Sequence, residues 1–190
     1  ECVQGEPTHE VGTRWGEAVV ADSFESVGLA FFGLSLAVAG NETTRDAISH
    51  RMHGFVEKTD QWERYKAARP ATTADEVVRF GTPVQMFQRT AMGDAEIGGQ
   101  AILRGQRVGL LYGSANYDDS VFDRPNSFDI LRDPKPNVGF GGGGVHYCPG
   151  AHLAKLEINL MFNAIADHLP DISPTGPQRQ VSAPVTDRVG

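Results

Sequence analysis

From Ser26 to Gly40 the chain reads SVGLAFFGLSLAVAG without a charge, and Glu25 and Glu42 close the run at its two ends. These 15 residues fall short of the roughly 20 needed to cross a bilayer. They also lack the basic start and N-terminal position of a signal peptide. The run predicts the first half of a long helix, Asp22 to about Glu57, buried on most sides. Its second half turns amphipathic through Ile48, Met52, Phe55 and Val56. Gln61 to Ala68 and Thr73 to Phe80 read as shorter helices, separated by the Pro70 break, with Thr72 or Thr73 as N-cap of the second. From Thr82 to Tyr112, Pro83 and Gly93, Gly98, Gly99 and Gly105 punctuate short apolar runs, the texture of hairpins. Asn116 to Gly150 is rich in Asp, Pro and Gly and predicts an irregular, ordered stretch. Ala151 to Leu169 predicts a last helix with Leu153, Leu156, Leu160 and Ile165 on its apolar face. Residues 1–20 show no period and form an unassigned leader. The pattern as a whole is mainly α with a small β portion.

Composition narrows the class. The 190 residues are 40% hydrophobic and 22% charged, ordinary for a globular protein. A net charge of −7 argues against nucleic acid as a partner. Cys2 and Cys148 lie far apart and form no CxxC pair, so a disulfide framework is not expected and a reducing cytoplasm is the expected home. The chain opens at Glu1 rather than Met, which predicts a piece of a longer chain.

The stretch Phe140 to Ala154, FGGGGVHYCPGAHLA, carries the strongest chemistry. Four successive glycines let the backbone approach a flat ligand closely. Cys148, Pro149 and Gly150 then open a helix, where the dipole favours a thiolate by roughly 0.3–1 kcal/mol. A phosphate-binding GxGxxG fails, because the sixth residue from Gly141 is His146 and from Gly142 is Tyr147. Zinc on His146, Cys148 and His152 lacks an obvious fourth ligand. An inert cysteine beside a flexible glycine turn stays open on these residues alone.

The loop resembles the haem-binding signature FxxGx[HR]xCxG of the cytochrome P450 family, with Gly144, His146, Cys148 and Gly150 falling on it. Phe140 stands one residue further from the cysteine than the signature has it. That longer form resembles the actinobacterial subgroup that oxidises sterol side chains and branched lipids. Three further stretches resemble the family's motifs, in the family's order. Ala39 to Thr44, AGNETT, resembles the oxygen-binding groove of its I helix; alone it predicts only a kinked helix. Glu76 and Arg79, in DEVVR, resemble the ExxR pair of the K helix; alone they predict a solvated i,i+3 pair. Arg132, in FDILRDP, resembles the third member of that family's Glu-Arg-Arg lock.

The resemblance, covering about Asp22 to Ser173, implies the C-terminal part of the P450 fold, I helix through cysteine loop and L helix, over residues 21–178. It implies haem b with Cys148 as axial ligand and His146 and Arg89 on the propionates. Phe140, Gly150, Ala154 and Ala39 would line the haem. Thr43 would hydrogen-bond dioxygen, and Glu42 would relay protons. Ferredoxin and its reductase, fed by NAD(P)H, are the implied partners, and an apolar substrate, sterol or lipid, the implied target. The tail 179–190 lacks the strand pair the family would place there. Two other readings stand beside this one: an inactive fragment with weak or no haem binding, and a thiolate-haem sensor or electron carrier, which would not need Glu42 and Thr43.

Overall fold

In a computed structural model the described residues are 26–133, 137–173, 176, 180–182 and 187–189. The leader 1–20, Cys2 and the predicted helix start at Asp22 lie outside them. The elements are α1 (Ser26–Glu57), α2 (Thr59–Ala68), α3 (Thr73–Gly81), β1 (Met86–Thr90), β2 (Ala95–Ile97), β3 (Gln100–Ile102), β4 (Arg107–Leu111), α4 (Tyr112–Asn116), α5 (Ala151–His168), β5 (Gln180–Ser182) and β6 (Asp187–Val189). The strands pair as three antiparallel two-stranded sheets, β1 with β4, β2 with β3 and β5 with β6. The chain divides into two compact units, Glu1–Glu42 and Thr43–Gly190.

In the first unit the apolar run of α1 is not buried as its composition predicts. Phe31 is 66% exposed and Val38 62%, with Val27 and Leu34 alike, while Leu29 is buried. An all-round apolar helix needs neighbours on every side, and the described residues supply few. Among them, no helix is long and apolar enough to cross a membrane.

The second unit is built around aromatic rings. Phe55 on α1 lies 5.2 Å, centroid to centroid, from Trp62, Phe128 and Phe162, and 5.5 Å from Tyr65. Tilted and edge-on pairs at such distances add to the area they bury. Val77 and Val78 of α3 join this core with Ile158, Phe162 and Ala166 of α5, and Ile48 and Met52 pack against it. Arg51 is an unforeseen member of α1's buried face. Its guanidinium lies 4.5 Å from the Phe80 ring centroid and 5.7 Å from that of Phe128, and its Nε has no hydrogen-bond partner among the described residues. Burial pushes its pKa down to about 10, which leaves it charged at neutral pH.

Three expectations need correction. Leu153, Leu156 and Leu160 are exposed, and the buried face of α5 is Ala151, Ile158, Phe162 and Ala166 instead. Thr72 occupies the N-cap position of α3 without capping it. Its hydroxyl instead donates to the Ile130 carbonyl at 2.6 Å, which ties the start of α3 to a distant segment. The tail does hold a strand pair: Val181 faces Arg188 in the β5–β6 ladder. Such a ladder needs only backbone donors and acceptors, so an apolar alternation is not required.

Candidate functional site

The site grows from α3, whose sequence TADEVVRFG buries Glu76 and Arg79 along with its valines. Both charged side chains are 2% exposed, so the solvated-pair reading is wrong. Arg79 donates through Nε to Glu76 Oε2 at 2.7 Å and through Nη2 to Oε1 at 2.9 Å. Arg132 Nε adds a bond to Oε2 at 3.1 Å, and the Asp129 N–H one to Oε1 at 2.9 Å. One carboxylate thus faces two guanidinium groups. The excess positive charge is met by backbone carbonyls: Arg79 reaches those of Asn116, Pro125 and Ser127, and Arg132 those of Asp123, Arg124 and Ser127. A buried ion cluster survives only when its remaining donors are satisfied in this way. Its effect is to pin the irregular stretch, Asn116 to Arg132, against α3.

A second set of bonds carries this anchoring into the cysteine loop. Asn116, fully buried, donates from Nδ2 to Thr82 Oγ1 at 2.9 Å. Its Oδ1 accepts the Val138 N–H at 2.9 Å. Thr82 holds a left-handed conformation, φ 37°, uncommon for a β-branched residue; its hydroxyl donates to the Arg79 carbonyl at 2.7 Å, which helps keep it there. Gln61 accepts the Ile130 N–H in similar fashion. Neither Asn116 nor Gln61 carries a signal in sequence, since polar residues of these types are usually exposed.

Gly139 comes next, so close to α3 that a Cβ there would lie 2.5 Å from Val78 Cγ1 and 3.2 Å from the Val78 carbonyl. Gly139→Ala is therefore expected to destabilise the domain by about 1–3 kcal/mol through overpacking, read as a lower denaturation midpoint. Beyond it Gly141, Gly143 and Gly144 take φ of 98°, 97° and 77°, open to glycine and strained for other residues. The turn brings the Cys148 N–H to the Phe140 carbonyl at 2.9 Å, across the glycines. Cys148 is a free, half-buried thiol that leads into α5. Gly150, the residue before α5, leaves space beside it, since a Cβ there would stand 3.8 Å from Sγ.

The remaining predicted residues are dispersed. Arg89 lies exposed on β1, donating to the Gln88 carbonyl and standing 5.9 Å from the Phe87 ring centroid. His146 is exposed on the loop, Phe140 packs against the core and Ala154 is half-buried on α5. No hydrogen bond or ion pair joins Arg89 or His146 to Cys148 among the described residues. Ala39 and Glu42 lie on α1 in the first unit, and Thr43, half-buried, opens the second.

The donor set fits haem better than zinc. Among the described residues no three His, Cys, Asp or Glu side chains converge to hold a metal, so zinc on His146, Cys148 and His152 is excluded there. One soft sulfur stands instead in a run of exposed apolar residues, Val145 at 96%, Tyr147 at 42% and Leu153 at 60%. A lone cysteine sulfur with exposed apolar neighbours would suit a haem iron, whose remaining ligands need not come from protein side chains.

Comparison with known proteins agrees with this geometry. The chain is 62% identical over 151 residues to a steroid C26-monooxygenase of Rhodococcus jostii, which covers 80% of the chain and 32% of that protein. It is 40% identical over 160 residues to a methyl-branched lipid omega-hydroxylase of Mycobacterium tuberculosis, covering 83% of the chain and 37% of the relative. Among solved structures, P450BioI in complex with an acyl carrier protein ligated to hexadec-9Z-enoic acid superposes with a TM-score of 0.88 at 29% identity, over 97% of this chain and 48% of that one. The chain thus spans about a third of the length of these curated relatives. The family profile described as Cytochrome P450 matches residues 71–169, from before the buried Glu76–Arg79 pair to the end of α5. By that match, and by the fold it shares with solved members, the chain belongs to the cytochrome P450 family.

Proposed function

We propose that this chain is the haem-binding part of a monooxygenase that places one oxygen atom from O2 into a C–H bond of an apolar steroid or branched-chain lipid. The observation that carries the reading is Cys148, a half-buried thiol at the start of α5 whose peptide N–H is held by Phe140. The names of the relatives at 62% and 40% identity support the substrate class.

Haem b, bound through Cys148, supplies iron that activates O2 and accepts electrons singly. Cys148 Sγ would be its thiolate ligand, and the hydrogen bond from the Cys148 N–H to the Phe140 carbonyl holds the backbone that carries the sulfur. Arg89 offers a fork suited to a propionate carboxylate, and the His146 imidazole would take a second such contact. Phe140, Gly150, Ala154 and Ala39 would line the haem. The Thr43 Oγ1 hydroxyl would donate a hydrogen bond toward O2, and the Glu42 carboxylate would relay protons to it. Glu76, Arg79 and Arg132 do no chemistry but hold the stretch that leads into the ligand loop. NAD(P)H electrons arrive through a ferredoxin reductase and a ferredoxin, and the setting is the cytoplasm.

The test uses haem-loaded protein completed to the length of its relatives, with ferredoxin, reductase, NAD(P)H, isotopically labelled O2 and a steroid bearing a branched side chain. One labelled oxygen in the side chain is the expected result; product oxygen drawn from water would overturn the reading. Thr43→Ala should leave haem binding intact while coupling of NAD(P)H use to product falls about tenfold or more, with peroxide rising to match. Unchanged coupling would remove Thr43 from the proton path.

The 190 residues by themselves support a second reading, an incompetent fragment. The observation behind it is the apolar surface left open on α1 (Val27, Phe31, Leu34 and Val38) and on α5 (Leu153, Leu156 and Leu160). Surfaces of this kind drive association. Expressed alone, the chain is expected to aggregate or to take up haem substoichiometrically; a haem-loaded monomer with cooperative unfolding would overturn this.

A further inference from the structure

We infer that Lys155 and Asp75 form a clamp that positions the ligand loop and keeps the Cys148 thiolate on the iron, an assignment that rests on the reading of Cys148 above. Lys155 lies on α5, two turns beyond the cysteine. Its Nζ stands 2.6 Å from Asp75 Oδ1 on α3 and 5.7 Å from the centroid of the Phe140 ring. The ammonium therefore meets a carboxylate on one side and an aromatic face on the other, each a favourable partner for a cation. Both side chains are about two-thirds covered, 32% and 27% exposed, so solvent weakens the pair less than at an open surface.

The placement gives the contact its consequence. Asp75 precedes Glu76, and the two neighbouring carboxylates divide the work of α3: Glu76 ties down Arg132, and Asp75 ties down α5. Phe140 is the residue whose carbonyl accepts the Cys148 N–H. Freeing the Phe140 ring loosens its backbone, and with it the bond that orients the cysteine. The Gly139 contact with Val78 and the Asn116–Val138 bond hold the loop's entry; Lys155 holds its far side. Lys155 is thus a positioning residue that acts through Phe140.

The test uses haem-loaded protein completed to its relatives' length and follows the red-shifted Soret band of the reduced carbon monoxide complex. Conversion of that band to the one left when thiolate ligation is lost is timed below the unfolding temperature. Lys155→Met is expected to speed the conversion about fivefold, in line with losing a partly covered ion pair. Asp75→Asn should act in the same direction, which keeps the test open if one variant fails to fold, and Lys155→Arg should restore the original rate. Arg69→Met is the control. It breaks the 2.7 Å pair with Asp167 near the other end of α5 and should lower stability without changing the conversion rate. Equal acceleration by Arg69→Met would make the effect general loosening and overturn the clamp, as would no acceleration by Lys155→Met or Asp75→Asn. Wild-type protein that lacks the thiolate band would overturn both the clamp and the function; a normal band with indifferent variants would overturn the clamp alone.

Discussion

Cys148→Ser will abolish the red-shifted Soret band of the reduced carbon monoxide complex in protein completed to its relatives' length. A hydroxyl of serine's size fits the same turn, so the loop itself need not change. The Cys148 N–H still reaches the Phe140 carbonyl, and Gly141, Gly143 and Gly144 keep their left-handed conformations. What disappears is the sulfur's charge donation to iron, on which O–O cleavage in this family of ligation depends. Monooxygenase turnover is accordingly expected to fall below detection while the far-ultraviolet circular dichroism stays that of the parent. A serine variant that retained the band would show that another residue ligates the iron, and Cys148 would revert to an inert thiol beside a glycine turn.

Glu76→Ala is the second large effect, and it acts on the fold. Four donors converge on that carboxylate: Arg79 Nε and Nη2, Arg132 Nε and the Asp129 N–H. Removing it leaves two guanidinium groups facing each other, one of them 2% exposed. Stranding a buried charge typically costs about 3–5 kcal/mol, against a total stability of about 5–15 kcal/mol for a domain. The variant should unfold at much lower denaturant than the parent and lose haem at the same point, since Asn116 and Val138 hang from the same scaffold. Glu76→Gln keeps the size but not the charge and should fall between the two. A parent-like midpoint for Glu76→Ala would mean that the carbonyls around Arg79 and Arg132 suffice to hold both cations.

Much of this was legible in the chain. α2, α3 and α5 begin and end within about two residues of where their breaks and apolar runs put them, although none of the three starts with a side-chain cap bond. The cysteine loop was legible because four successive glycines, a cysteine and a proline form a pattern that can be read from neighbouring residues alone. Charges on Glu76 and Arg79 were visible too, but their burial was not, since an i,i+3 pair looks the same in water and in a core.

Tertiary contacts decided the rest. α5 is apolar around most of its circumference, so its period could not choose between the Leu153–Leu156–Leu160 face and the Ile158–Phe162–Ala166 face. The rings of Phe55 and Tyr65 made that choice by packing on Phe162. Thr72 was free to cap its own helix until Ile130 came within reach. Asn116, Gly139 and the Asp75–Lys155 pair have no local signature, because each matters through partners distant in sequence: Val138 for Asn116, Val78 for Gly139 and each other for the pair. The sequence alone singled out the cysteine loop and the helices that frame it. Only the packed chain determined what anchors that loop, because the anchoring groups are brought together by folding and not by their spacing.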